Sequence, residues 1–379
     1  MAHASIEIPA KLRENIVTTG MRTTRCPAPA GNPAIIPALD AVRSNCHISD
    51  ARHAGDYTLC VYLLKMREYF RWEQDIPYNA PLAHDELTDW LTRREALWDS
   101  LDDCAFENIP VNGNFRDPFD DAAINADLNR IGYVYSSGYG RNLKPVFFLG
   151  ELDRQEQQDG YTLLVSGREL ARDLAAPPAM SRNRTIFVRR ESLRRMIWEK
   201  VEEWRWNRPD NAMKVALGFY DFEHAIEQSL DDMTDMALEG VILHEIGEVR
   251  AGDLLGAAWQ DMLATIGHSK AEIMARAVRD HLADALSTLP CLLADPQPAP
   301  LHFYMANVSN MRKELFPGLV AAYQAWSDNG DSSRLERLAG RSLPHWQTLA
   351  TDLLEIFETN KADCRQAIVS CIESRVFNG

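Results

Sequence analysis

The chain has 379 residues, an apolar content of 46% and a formal net charge of −15; its length supports two or three domains with sizeable cores, and its composition excludes global disorder. The negative balance argues against nucleic acid and anionic membrane as partners. No window approaches the roughly eighteen uninterrupted apolar residues of a membrane span, no apolar signal core is visible, and seven cysteines without a C-x-x-C pair fit reduced thiols, so a cytoplasmic protein is expected.

The expected fold is mainly α with a small antiparallel β-sheet insertion, an α+β chain around a helical-bundle-like core. Residues 1–40 carry Pro9, Pro27, Pro29, Pro33 and Pro37 and read as an extended Pro-rich arm, laid over the surface or over a partner. Residues 41–130 form an N-terminal helical region. There Leu59, Leu63, Met66 and Phe70 predict one amphipathic helix over 50–73, and Leu87, Trp90, Leu91 and Leu97 predict a second over 84–101. Residues 131–190 make the small β-sheet region: Gly132–Tyr135 and Pro145–Leu149 flank a glycine-rich turn, and 161–165 and 185–188 supply two more strands. Residues 191–290 are the helical core, with a Trp-rich helix over 191–206, breaks at Gly252 and Gly256, and a capping box at Ser269–Glu272 opening a helix toward Leu289. Residues 291–379 are expected as a C-terminal helical cap with breaks near Gly330 and Pro344.

The most informative stretch is His244-Glu245-Ile246-Gly247-Glu248. On a helix His244 and Glu248 stand one turn apart on the same side, where an imidazole and a carboxylate can share a metal ion. Glu245 points elsewhere and is the candidate catalytic base. His281 and Asp284, three apart on the next predicted helix, offer a second pair; facing the first, they would complete a nitrogen and oxygen set suited to iron, manganese or zinc. Asp261 and His268 rank behind these as a second metal position. The plainer account is a set of buried ion pairs with Arg250, Arg276 or Arg279.

Two further groups call for the same weighing. Cys46, His47, Asp50 and His53 have zinc-ligand chemistry, but their spacing fits no closed finger, and Ser49 or Asp50 reads better as the cap of a following helix. The arginines 182, 184, 189, 190, 194 and 195 form a basic island able to hold a phosphate or carboxylate, or to pair with the chain's own acids.

The segment 244–248 resembles the first half of a zincin helix, with Glu248 in place of the second histidine. The mixture of helical acids and histidines is similar in kind to di-iron proteins of the ferritin-like and haem-oxygenase-like groups. Taken together, the segments 63–68, 244–248 and 279–284 resemble an uncharacterised bacterial family, a resemblance that implies no reaction. The expectation is a metal-dependent enzyme on a small-molecule substrate, oxygen-dependent oxidation with iron standing slightly ahead of hydrolysis with zinc. The alternative is a non-catalytic helical scaffold or assembly factor, homo-oligomeric or holding a protein partner through the arm and the Trp-rich helix.

Overall fold

A computed structural model describes residues 32–140, 143–158, 160–361 and 363–379. Residues 1–31 of the expected arm lie outside that set, but the last part of the arm is a correction: Pro33–Ile35 is a 3-10 turn leading into α1 (Ile36–His53). Pro33 and Pro37 occupy first-turn positions, where the missing N–H costs nothing because those amides have no intrahelical partner. The helix expected over 50–73 is likewise two. Helix α1 ends at His53, and α2 (Leu59–Glu73) starts afresh, burying Met66, Tyr69 and Phe70 while Leu59 and Leu63 stay exposed. Ser49 and Asp50 therefore sit inside a helix and cap nothing.

Helix α3 (His84–Asp99) packs Trp90 and Trp98 onto α2. A two-stranded ribbon, β1 (Ile109–Val111) and β2 (Asn114–Arg116), and α4 (Asp121–Leu128) lead to the sheet. Its strands are β3 (Tyr133–Tyr139), β4 (Pro145–Gln158), β5 (Tyr161–Arg172), β6 (Ala179–Arg182) and β7 (Thr185–Arg189), in the order β3-β4-β5-β7-β6. The expected hairpin is present, with Tyr135 opposite Leu149. The sheet is nevertheless larger than an insertion and is mixed: β7 runs parallel to β5, pairing Thr185 with Thr162, while β6 folds back antiparallel on β7.

The remainder is helical: α5 (Arg190–Asn207), α6 (Ala212–Leu217), α7 (Ile226–Ile266), α8 (Lys270–Ala283), a π-helical turn (Asp284–Thr288), then α9 (Leu289–Ala294), α10 (Ala299–Asn307), α11 (Asn310–Leu315), α12 (Pro317–Asn329), α13 (Ser333–Thr359) and α14 (Cys364–Glu373). Gly256 has φ 66° and kinks α7 as expected, whereas Gly252 stays helical. Ser269 caps α8 by accepting from the Glu272 amide. Pro344 lies within α13 and breaks nothing, so only the Gly330 stop, at φ 76°, holds. Residues after 290 share one core with α7 and α8, in which Trp346, Phe316 and Ile368 join Trp259, Met274 and Leu282.

Helix α7 is clasped on two sides. Ile242 and Ile246, one turn apart, pack on Leu163, Val165, Ile186 and Val188 of the sheet. Two residues along a helix is a rotation of about 200°. His244 and Glu248 therefore point away from the sheet, toward α8.

Candidate metal centre at a helix crossing

At Gly247 the helices α7 and α8 approach too closely for a side chain, for a Cβ there would run into the Ala283 carbonyl. Glycine is needed because the two backbones touch. Around that contact His244 faces Asp284 and Glu248 faces Arg279, so the i,i+4 pair on α7 meets the i,i+4 pair Asp280 and Asp284 on its neighbour.

His244 Nδ1 lies 2.8 Å from Asp284 Oδ1. Asp284 is fully buried, and its other oxygen accepts from the Tyr304 hydroxyl at 2.6 Å and from the Arg312 guanidinium. Burial would raise this carboxyl, but Arg312 and His244 outweigh it and hold Asp284 well below the usual carboxylate range. Burial works against the His244 imidazolium too, yet Asp284 and then Glu248 carry its pKa up to about 9. With Asp284 on Nδ1, Nε2 is the free nitrogen, the arrangement in which a carboxylate orients a metal-binding histidine.

Glu248 spends one oxygen on Arg279, at 2.6 Å, while its buried Oε1 has no hydrogen-bond partner among the described residues. Burial, against the pull of Arg279, raises its pKa. Asp280 enters no ion pair or side-chain hydrogen bond among the described residues. One donor atom from each of His244, Glu248 and Asp280 lies within 4.8 Å of the others. Three protein donors with the His244 side chain 31% exposed form a set that can hold a divalent cation and leave positions open to solvent.

Glu245 turns toward the sheet and hydrogen-bonds Ser181 of β6. Burial, opposed by His244 and reinforced by Glu248, carries its pKa up to about 7, a value at which a carboxyl can take or give a proton near neutrality.

The expected four-residue set is split. His281 leaves it: its Nε2 is 2.9 Å from the Arg312 carbonyl, its ring stacks on Trp346 at 4.5 Å, and it is 1% exposed. Burial, then Arg312, takes its pKa down to about 3. Asp284 is present beside the donors rather than among them. Asp261 and His268 are exposed beyond the Gly256 kink, the His268 amide donating to Glu272 Oε2 at 2.7 Å, and the fold does not bring them to the site. Asp280 was not anticipated, although its spacing of four from Asp284 was visible; Tyr304 and Arg312, on α10 and α11, had no local signal.

The N-terminal zinc-like group does not assemble. Cys46 donates to the Phe147 carbonyl, Asp50 pairs with Lys144 Nζ at 2.6 Å, and His53 pairs with Asp56. Much of the basic island is neutralised internally: Arg184 pairs with Asp253, Arg190 with Asp231 and Asp235, and Arg194 with Glu227 and Asp231. Arg189 and Arg195 turn inward, Arg195 pairing with Glu199 at 3.1 Å.

No curated protein and no solved structure matches this chain. A family model for an N-terminal domain matches residues 38–189, and its companion for a C-terminal domain matches residues 194–375, so the two meet where β7 runs into α5. Covered by both over most of its length, the chain belongs to a family of unknown function, DUF6866.

Proposed function

We propose that the protein is a metal-dependent enzyme in which His244, Glu248 and Asp280 hold one divalent cation, iron or zinc. The observation that carries this reading is the convergence of three donors, two with an oxygen that no described residue claims, at a crossing where a Cβ would meet the Ala283 carbonyl. Leaving buried polar atoms unpaired costs free energy, and a cation answers that need in a way a further ion pair does not. Asp284 fixes the His244 ring, and Arg312 and Tyr304 fix Asp284. Glu245, on the sheet side of the same helix, is the proposed proton acceptor. Two carboxylates with one imidazole form a hard, oxygen-rich shell, which favours iron and oxygen-dependent oxidation of a small molecule over zinc hydrolysis.

The test is metal content per chain, measured on protein purified without a histidine tag and again after reconstitution with Fe(II) or Zn(II). Near one atom is expected for the parent and for His281→Gln, and almost none for His244→Ala and Asp280→Asn. A parent that takes up no metal overturns the reading. A scaffold is the second reading, favoured by the exposed apolar start of α2, where Leu59 is 70% exposed, and by Trp206 at 86%. On that reading the His244–Asp284–Arg312 group is an ion network alone and chelators leave the melting temperature unchanged.

A further inference from the structure

A second site is marked by an imbalance between donors and acceptors where α2, β5 and α5 meet. Lys65 of α2 is half-buried and makes no hydrogen bond or ion pair among the described residues; its Nζ lies 5.4 Å from the Tyr57 ring, and Glu199 is the acid that favours its charge. Arg172 at the end of β5 is 1% exposed; its guanidinium lies against the Tyr69 and Trp72 rings at 4.9 and 4.7 Å, its Nη2 donates to the Glu68 carbonyl at 3.3 Å, and its Nε has no hydrogen-bonded acceptor among the described residues, with Glu169 Oε2 at 3.5 Å. Arg195 of α5 is 6% exposed; its two terminal nitrogens serve Glu199 and the Ala176 carbonyl, and its Nε is buried and unpartnered. Trp198, one turn further along α5, packs its ring at a tilt against Tyr78, 5.4 Å between centroids, and buries an Nε1 with no partner among the described residues.

We propose that Lys65, Arg172, Arg195 and Trp198 bind a small oxyanion, a phosphate or carboxylate group, at the seam between the two halves of the chain. Unspent donors on rigid elements are the complement of an acceptor-only ligand. Their charges are also mutually unfavourable. Burial, and then the neighbouring Arg195, lowers the pKa of both Lys65 and Arg172. An anion would relieve that repulsion, and Lys65, the least buried member, marks the side from which it enters. The backbone beside the site is strained: Ala176, whose carbonyl holds Arg195, has φ 33°, a conformation that a non-glycine residue keeps only where its surroundings impose it. Because Lys65 and Arg172 belong to residues 38–189 and Arg195 and Trp198 to residues 194–375, bound anion would tie the halves together. None of these residues belongs to the metal centre.

The experiment is a melting curve and a calorimetric titration of the full chain with inorganic phosphate, and separately with acetate, at constant ionic strength against chloride. The expected result is a saturable rise in melting temperature with one of the two anions, and the better of them names the ligand class. Lys65→Met should weaken that anion's affinity about tenfold or more, as the loss of a charge-assisted contact predicts. The same variant should be no less stable than the parent in anion-free buffer, because it removes an unpaired, half-buried charge. Arg195→Met should abolish binding; if it does not fold, Lys65→Met carries the test alone. Equal responses of parent and Lys65→Met, or no response beyond that to chloride, would overturn the proposal.

Discussion

The aromatic cluster around His47 and the crossing around His244 use the same residue types to opposite ends. In the first, Glu73 of α2 accepts both Arg94 Nη2, at 2.5 and 2.7 Å, and Trp90 Nε1, while Arg94 Nη1 and Trp98 Nε1 reach His47 at 3.2 and 3.3 Å. Donors and acceptors there are matched within the fold. In the second, Asp284 is saturated by three donors, but among the described residues Glu248 keeps an oxygen without a hydrogen-bond partner and Asp280 enters no ion pair. Histidine and carboxylate chemistry is therefore no guide to ligand binding until the partners of each atom are counted. A matched cluster stabilises; a cluster with surplus acceptors around one imidazole leaves donor atoms over, and these are the ones proposed here to take a cation.

The largest expected effect falls on the saturated part of the crossing. Asp284→Ala strands the Arg312 guanidinium in the interior and should cost about 3–5 kcal/mol, read from urea unfolding. A loss below about 1 kcal/mol would mean that Asp284 is not the anchor. Next comes the His47 cluster. Burial, then Arg94, takes the His47 pKa down to about 4, against 6.5 in the unfolded chain. The unfolded state gains its proton first as the pH falls, so His47 removes stability between about pH 6.5 and 4, in total about 3 kcal/mol. His47→Gln should flatten that part of the stability profile, and an unchanged slope would refute the assignment. Gly247→Ala should cost about 1–3 kcal/mol by forcing the backbones apart, and should abolish metal uptake. Smallest in stability is Asp280→Asn, expected within about 0.5 kcal/mol of the parent in chelator because no described residue hydrogen-bonds or ion-pairs with its carboxylate, and its attraction to Arg312 is offset by repulsion from Glu248. Its metal loss without stability loss would separate the two kinds of cluster most cleanly.

Much of this was legible from local pattern. The 244–248 spacing, the Ser269 cap and the β3–β4 hairpin are short-range signals, and each is present. The failures were long-range. His281 and Asp280 are adjacent in sequence, and only the packing of Trp346 and Arg312, from α13 and α11, decides that the first is buried against aromatic rings while the second faces Glu248. Leu59 and Leu63 kept helical periodicity yet stayed exposed, since periodicity says which residues share a face and not whether anything covers it. The parallel pairing of β5 with β7 rests on a crossover that no strand pattern encodes.

The π-helical turn from Asp284 to Thr288 has a consequence for how this region tolerates change. Such a turn is an α-helix carrying one surplus residue, and here the surplus begins at the aspartate that holds His244. Deleting one residue among 285–288 would let the turn relax to ordinary α geometry and leave the residues downstream in their present register relative to α8. Tyr304 and Arg312 would then keep their approach to Asp284, although the chain had been shortened. In this stretch the loss of one residue should be tolerated better than it would be within α8, where a deletion turns all that follows by about 100°.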